Sequence, residues 1–449
     1  MLQWRWSRFV TLVAALTGPL AAQDPARIGF EAYTLPNGLK VILAPDHSSQ
    51  VVAVDVWYHV GSRDEVKGRT GFAHLFEHMM FQGSANVKKA QHFQLVEQAG
   101  GSLNGSTAED RTNYFEALPS NRLNLGLWLE ADRMRSLAVT DSSFTNQREA
   151  VKEERRLRVD NQPYAAAIFE GMYALADSSS CFPYAHSIIG SMDDLNAAKT
   201  PDVKAFFDLY YAPNNATLTI VGDFDPVPTK ALVQQYFGAI PRGKEPPAVS
   251  CEARFNPGAI RRPWPDPRAN LPAVLLAYRV PEYRHADMPA IDLLTTILGQ
   301  GESSRINKSV VRDQKLAQFA IVLSNPASPR RGPGVLLALG ISNQGVSPDS
   351  LEAGLAAEFA RVVREGVTEA ELSKAKNAYR TQLITQQQQA LAKAEALQSA
   401  DLFLGNPEAV NTNWKRFLAV TTDDIKRVAG SYFRPENSLV LLITPGGAK

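Results

Sequence analysis

The sequence predicts an α+β protein of two homologous domains, each a mainly antiparallel sheet with helices packed on one face. Three observations predict this class. The chain has 449 residues, too many for one ordinary domain. A sequence repeat recurs in the second half of the chain, and in both halves a strand pattern leads into an amphipathic helix pattern.

The internal repeat lies at the end of each half. TPDVKAFFDLYYAPNNATLTIVGD, residues 200–223, aligns without a gap to TDDIKRVAGSYFRPENSLVLLITP, residues 422–445. Both copies have the pattern of an N-capped helix, a proline turn and an apolar strand. The identical pairs are Thr200/Thr422, Asp202/Asp424, Lys204/Lys426, Tyr210/Tyr432, Pro213/Pro435 and Asn215/Asn437. So long a period indicates a duplicated domain, since solenoid repeats are far shorter.

Other segments fit the duplication. Residues 51–61 and 273–281 have strand patterns, and each is followed by a helix pattern. Residues 349–365 and 367–398 have the pattern of long amphipathic helices.

A proline-rich stretch gives the domain limits. Residues 241–272 hold eight prolines and little periodicity, which predicts a stiff extended linker. We therefore expect a first domain at 24–240 and a second at 273–449.

The first residues predict where the protein is located. Residues 1–22 contain Arg5 and Arg8, an apolar run from Phe9 and two final alanines, the order typical of a secretory signal peptide. We expect a periplasmic or secreted protein. The alternative is a mitochondrial presequence, because no acidic residue precedes Asp24. The apolar run is too short for a stable membrane span.

Composition narrows the classes of partner. The formal net charge is +1, so no excess of charge argues for a nucleic-acid partner. Cys181 and Cys251 allow at most one disulfide, and the sequence leaves open whether they pair.

The stretch HLFEHMMFQGS, residues 74–84, carries the candidate metal chemistry. Residues four apart share one face of a helix, so His74 and His78 can bind a single ion. Glu77 flanks that face and can take a proton from a water molecule that the ion acidifies. The order H-x-x-E-H is the inverted form of a zinc peptidase motif. A chance pattern is the alternative. Burying ionisable groups among apolar residues costs free energy unless they are paired or bind a metal, which favours a metal site.

A zinc site in a hydrolase needs a third protein ligand. The charged helix NQREAVKEERRLRVDN, residues 146–161, offers Glu149, Glu153 and Glu154. Such a helix is also typical of a solvated, salt-bridged surface. Spacing alone does not choose among the three glutamates.

The stretch GSRDEVKGRTGFAHLFEHMMFQGS resembles the active-site segment of the pitrilysin/insulinase family of zinc peptidases, especially the short, two-domain members related to mitochondrial processing peptidase. The likeness covers essentially the whole mature chain and includes GGSLNGSTAEDRTNYFEALP and ILGQGESSRINKSVVRDQKLAQF. It implies Zn²⁺ as cofactor, His74 and His78 as ligands, Glu77 as general base and two domains that form half of a clam-shell. The family's third ligand ends an ER–V–E pattern. QREAVKEE puts Glu154 in that place, with Glu153 the lesser candidate.

Two departures from the family pattern concern function. Gln147 stands where the family usually has a second glutamate, so a supporting role there is weakened or met by a neutral hydrogen bond. In the second half, active members hold the substrate carbonyl with an arginine and a tyrosine seven residues later. This chain has Arg312 but Phe319, which cannot donate that hydrogen bond. The second half also lacks an HxxEH motif at the duplicated position.

A strand pattern after Gly100-Gly101 is the candidate substrate-binding element. GGSLNGSTAEDRTNYFEAL alternates polar and apolar residues, and such a strand at a sheet edge can pair with an extended peptide. In the family this strand pairs with the substrate peptide, and the resemblance implies that Asn104 and Gly105 lie nearest the scissile bond. An ordinary hairpin strand is the alternative.

These residues support three hypotheses. The first is a zinc endopeptidase that cleaves short or unfolded peptides. The second is a metal-bearing subunit of a homodimer or heterodimer, active only when a same-fold subunit lacking HxxEH supplies the Arg/Tyr pair. The third is a non-catalytic assembly or chaperone subunit. The intact set of His74, Glu77, His78 and Glu154 argues against the third.

Overall fold

The computed structural model describes residues 25–177, 181–249, 251, 258–325 and 328–446. The predicted signal peptide, residues 1–22, lies outside the described residues. The strands in these ranges are β1 Glu31–Thr34, β2 Lys40–Pro45, β3 Val51–Tyr58, β4 Ser102–Thr107, β5 Thr112–Pro119, β6 Ala216–Gly222, β7 Ile260–Asp266, β8 Ala273–Val280, β9 Ala317–Ser324, β10 Gly334–Ser342 and β11 Ser438–Pro445.

The α-helices of the same ranges fall into two sets. The first half contains α1 Phe72–Met79, α2 Gln91–Gln98, α3 Leu123–Ser136, α4 Asp141–Arg155, α5 Met172–Asp177, α6 Met192–Ala197, α7 Thr200–Tyr210 and α8 Pro226–Phe237. The second half contains α9 Met288–Gly299, α10 Pro348–Glu365, α11 Glu369–Gln386, α12 Ala390–Leu404, α13 Trp414–Ala419 and α14 Thr422–Tyr432. Among the described residues, no helix combines the length and the apolar character that crossing a membrane requires.

The first sheet has the strand order β1-β2-β6-β3-β5-β4. Its central strands β3 and β6 are almost entirely buried, as their runs of β-branched and aromatic residues predict. Neighbouring strands are antiparallel, except that β2 and β6 are parallel. β4 is the edge strand on the side of β5.

The second sheet repeats this arrangement. Its order, β7-β11-β8-β10-β9, matches β2-β6-β3-β5-β4 strand for strand, and β7 is parallel to β11 as β2 is to β6. The predicted α+β class is therefore confirmed. The repeated segments 200–223 and 422–445 form the equivalent units α7–β6 and α14–β11.

The predicted linker at 241–272 needs a correction, because its residues 260–266 form strand β7. The prolines that suggested a connector are compatible with this strand. β7 lies at the edge of the second sheet, where a missing N–H is tolerated. Pro263 and Pro265 are two residues apart, so both can turn the side without an N–H away from β11.

In each half, one helical segment packs on the sheet of the other half. Helix α12 packs on β3 and β6 of the first sheet, where Ala394 and Leu397 join Ile42 and Val221 in one core. Conversely, residues 167–177 pack on β8 and β11 of the second sheet. As predicted, the helices that each half packs on its own sheet lie on one face of that sheet. The opposite face is covered by the other half.

The crossing of α12 divides the helix predicted at 367–398. Helix α11 ends at Gln386 and α12 begins at Ala390, because the chain leaves the second half there and reaches the first sheet. Gln398 then donates from Nε2 to the main-chain oxygens of Asp55 and Thr217, at 3.1 and 2.9 Å. Cys181 and Cys251 form a disulfide, which answers the question that the sequence left open.

Candidate metal centre

Helix α1 presents the histidine pair because its other face is apolar. Leu75, Phe76 and Met79 are fully buried in the core of the first domain. Gly71, at a φ of 87°, begins the helix, and a Cβ there would lie 2.7 Å from the main-chain oxygen of Ile189. This position therefore requires glycine. With the apolar face packed, His74 and His78 turn towards a cavity of about 640 Å³.

Helix α4 brings the third donor to the pair. Thr140 caps its start, and Phe144 and Val151 bury one face. Glu154, in the last turn, places Oε2 at 3.6 Å from His74 Nε2 and 3.2 Å from His78 Nε2.

The three donors fit a tetrahedral divalent ion. Bonds of about 2.0–2.1 Å place neighbouring ligand atoms about 3.3 Å apart, close to the distances found here. All three donor atoms lie within 4.8 Å of one another. Burial, together with neighbouring His78, lowers the pKa of His74 to about 4, which keeps the ring neutral as a ligand must be. The hydrogen bond with His78 lowers the pKa of Glu154 and keeps it ionised.

The other candidate glutamates lie away from this cluster. Glu149 is half exposed and pairs with Lys152 at 2.8 Å, and Glu153 is exposed and pairs with Arg156 at 3.0 Å. Neither lines the cavity. The geometry thus brings Glu154 to the histidines and leaves the other two in surface ion pairs.

Glu77 lies beside the cluster as a separate carboxylate. Thr107, on β4, donates from Oγ1 to Glu77 Oε2 at 2.7 Å. Burial raises the pKa of Glu77, and this hydrogen bond opposes the rise. A Cβ at Gly105 would lie 3.1 Å from Glu77 Cγ, so the absence of a side chain there lets β4 approach the carboxylate closely.

Gln147 occupies the position of the family's second glutamate. It is buried and lines the cavity beside the histidines, and its Nε2 donates to Oδ1 of Asn146 at 2.9 Å. The expected support of the metal donors by a neutral hydrogen bond from Gln147 stays a prediction. Burial acts to lower the pKa of His78, but Glu154 and Glu77 outweigh it and raise that pKa.

The predicted substrate residues lie on the cavity wall. Asn104 and Gly105 belong to edge strand β4 and line the cavity together with Thr107. The side-chain oxygen of Asn104 accepts from the main-chain N–H of Gly105 at 2.9 Å. Their contact with a peptide stays a prediction.

Arg312 and Phe319 are not brought to this site. Both are exposed on the second half, Phe319 on edge strand β9 with an exposure of 46%, and neither lines the cavity. The expected reach of Arg312 over the metal is therefore not found within the described part of one chain.

Sequence reasoning missed a contact between the halves. Arg330, on the loop between β9 and β10, donates from Nη2 to Oε1 of Glu109 at 2.8 Å, and both side chains are buried. Arg331 donates from Nε to Oδ1 of Asp110 at 3.0 Å. Glu109 and Asp110 form the turn that follows β4, and Glu109 lines the cavity.

A second group of possible metal donors among the described residues surrounds an arginine side chain. His92, Glu116 and Glu130 converge in the core of the first domain. Arg133 lies among them and donates from Nε to Glu130 at 2.9 Å and from Nη2 to Glu116 at 3.4 Å. A guanidinium already supplies the positive charge there, so this cluster is a poor candidate for an ion.

Comparisons with known proteins agree with this geometry. Residues 40–179 match the family described as insulinase (peptidase family M16), and residues 199–379 match the peptidase M16 inactive domain. The zinc protease PqqE of Helicobacter pylori is 31% identical over 92% of this chain and 93% of its own length. The beta subunit of the mitochondrial-processing peptidase of Blastocladiella emersonii is 23% identical over 92% of this chain and 88% of its own.

Solved structures agree as well. A crystal structure of a protease from Helicobacter pylori matches with a TM-score of 0.88 and 30% identity, over 93% of this chain and all of that chain. The candidate metal cluster lies in the segment that matches the insulinase family, and the match to the inactive domain begins at residue 199 and extends through most of the second half. This chain belongs to the insulinase family of peptidases, peptidase family M16, as a short two-domain member.

Proposed function

We propose that this protein is a zinc-dependent endopeptidase that cleaves short or unfolded peptides. One observation carries the proposal: His74, His78 and Glu154 converge on one point, with Glu77 beside them on the same cavity wall. Three nitrogen and oxygen donors next to a free carboxylate are the parts that a hydrolytic zinc site needs. The relatives named as zinc proteases support this reading.

His74, His78 and Glu154 would hold the ion. When bound, zinc polarises the scissile carbonyl and acidifies a water molecule. Glu77 acts as general base: it takes a proton from the attacking water and delivers it to the leaving amine. Thr107 orients the base by donating to Oε2, which leaves Oε1 for the water proton.

Edge strand β4 would bind the peptide main chain. A substrate in extended conformation adds to β4 as a further strand, with Asn104 and Gly105 beside the bond to be cut. This mode of binding needs an unpaired backbone over several residues. The proposed substrates are therefore short or unfolded peptides, because folded proteins have already paired theirs.

A second candidate follows from Arg312 and Phe319. Neither residue lines the cavity, so the described part of this chain does not bring the family's Arg/Tyr positions to the developing oxyanion. We therefore keep the proposal that the chain is a metal-bearing subunit, active with a same-fold partner in a homodimer or heterodimer. A purely non-catalytic assembly role is not favoured, because it gives no reason for the cluster with Glu77.

We further propose that the protein works outside the cytoplasm, in the periplasm or after secretion. The signal-peptide pattern of residues 1–22 supports this location. The disulfide between Cys181 and Cys251 supports it too, because such bonds persist in oxidising compartments.

The test is an assay of the purified chain on a library of quenched peptides. We expect cleavage that 1,10-phenanthroline abolishes and added zinc restores. Specific activity should rise with protein concentration if a second copy completes the site. No cleavage by the zinc-loaded protein, at any concentration or with proteins from its native source added, would contradict the proposed function.

A further inference from the structure

We propose that Arg158 binds a substrate carboxylate, so that the enzyme prefers peptides with an acidic group near the scissile bond. This inference rests on the proposed function, because it names the substrate class of the same site. Arg158 lines the cavity, one helical turn beyond Glu154.

The guanidinium of Arg158 is positioned but largely unused. Its Nη1 lies 3.0 Å from Glu154 Oε1, on the side of Glu154 that does not face the histidines. The side chain is nevertheless 76% exposed. A guanidinium has five N–H donors in a fixed plane, and that single contact leaves most of them available. The Nε and Nη2 edge can therefore take a carboxylate through two parallel hydrogen bonds.

The other ionisable side chains of the cavity already have partners: Glu77 accepts from Thr107, and His186 lies 3.1 Å from Glu65. Among the described residues that line it, Arg158 is the one lysine or arginine. Glu109 is held by buried Arg330, and Glu154 by the histidines and Arg158. A bound zinc ion would add positive charge, which also favours an acidic substrate.

Apolar side chains form part of the same cavity wall. Val159 and Phe169 line the cavity together with Arg158. Because the guanidinium is largely exposed, a bound peptide has to cover it before the charge-assisted contact gains strength from the exclusion of water. A substrate carboxylate seated there would lie beside the metal ligand Glu154, close to the bond that is cut.

The experiment uses the zinc-loaded Glu77→Gln protein, so that peptides bind without being cut. A fluorescent decapeptide is scanned with one glutamate, and each peptide is compared with its glutamine counterpart by anisotropy. We expect one position at which glutamate binds about two- to fivefold more tightly than glutamine, the range of an ion pair with a largely exposed arginine. Zinc content is measured on every variant.

The variants separate recognition from a structural role. Arg158→Gln should abolish the preference for glutamate and keep the zinc, and Arg158→Lys should retain part of the preference. The matched control is Arg156→Gln, because Arg156 is on the same segment, pairs with Glu153 and does not line the cavity. It should leave the preference unchanged.

Two results would overturn the proposal. One is that glutamate and glutamine peptides bind equally at every position, or that the preference for glutamate persists in Arg158→Gln. The other is a loss of zinc in Arg158→Gln with equal weakening of both peptides, since Arg158 would then only position Glu154. Failure of the proposed function is distinguishable: the wild-type protein would cleave no peptide, whereas binding to the Glu77→Gln protein would still report on Arg158.

Discussion

The two halves share one strand order and differ in the helix that follows the central strand. In the first half that helix is α1, which carries His74, Glu77 and His78 among buried apolar residues. In the second half it is α9, Met288–Gly299, whose residues are mostly apolar and buried, with Asp292, Thr295 and Thr296 as its polar residues. The comparison teaches that the apolar pattern specifies the fold, while three polar positions on one helix face specify the chemistry.

The edge strands differ in the same way. β4, SLNGST, has Gly105 where the strand meets Glu77, and Thr107 donates to that carboxylate. β9, AQFAIVLS, holds the equivalent edge of the second sheet and presents Phe319 to solvent. One edge strand lines the cavity, and the other lies on the surface of the second half.

The largest effect on activity should come from Glu77→Gln. The amide keeps the shape and the contact with Thr107 but cannot accept the proton, so kcat should fall by about 10²–10⁴. Zinc content and thermal stability should match the wild type. Steady-state kinetics with metal analysis checks this. Wild-type turnover in the variant would remove Glu77 from the role of base.

Glu154→Gln should next weaken the metal site. Removal of a carboxylate ligand should reduce zinc affinity by more than about 100-fold, since even residues behind the ligands are worth about 10–100-fold. Glu153→Gln is the matched control, one residue away and paired with Arg156 at the surface. Competition with a zinc chelator measures both. The opposite pattern would move the third ligand to Glu153.

A smaller effect should follow when the contact between the halves is broken. Arg330→Met leaves Glu109 buried without this cation, which should cost about 3–5 kcal/mol of stability. The turn after β4 then loosens, so kcat/KM should fall about tenfold while zinc stays bound.

The control for this prediction is Lys40→Met. Lys40 on β2 pairs with Asp401 on α12, so it also joins the halves, but neither residue lines the cavity. It should lower the melting temperature and leave kcat/KM unchanged. Equal losses of activity in both variants would make the Arg330 contact merely structural.

The smallest effect is expected from Phe319→Tyr in the isolated chain. Phe319 lies outside the cavity, so a hydroxyl there reaches no substrate of the same chain. Activity should change by less than about twofold under dilute conditions and increase where chains associate, because the added donor then serves a neighbouring site. A large gain that is independent of concentration would contradict this account.

Much of the fold could be predicted, because identical residues such as Pro213/Pro435 and Asn215/Asn437 recur at a constant spacing and show the duplication. The exchange of helices could not. An amphipathic pattern shows that a face of α12 is buried, but not against which sheet. Strand β7 was hidden by its prolines, which an edge strand tolerates.

The site, too, could be predicted only in part from the sequence. The spacing of His74 and His78 places them on one helix face, and only the family resemblance selected Glu154 from three glutamates. Thr107 could have been found by strand parity, because it shares a face of β4 with Gly105. Arg330 could not, since its partner Glu109 lies 221 residues away with no local signal.

The central claim is that the first half alone carries a metal centre built on the histidine pair. The most direct measurement is the zinc content of the purified protein and of its His78→Ala variant, with His47→Ala as control for an exposed histidine outside the cavity. We predict about one zinc per chain in the wild type and the control, and almost none in His78→Ala. Equal zinc in all three proteins would contradict the account.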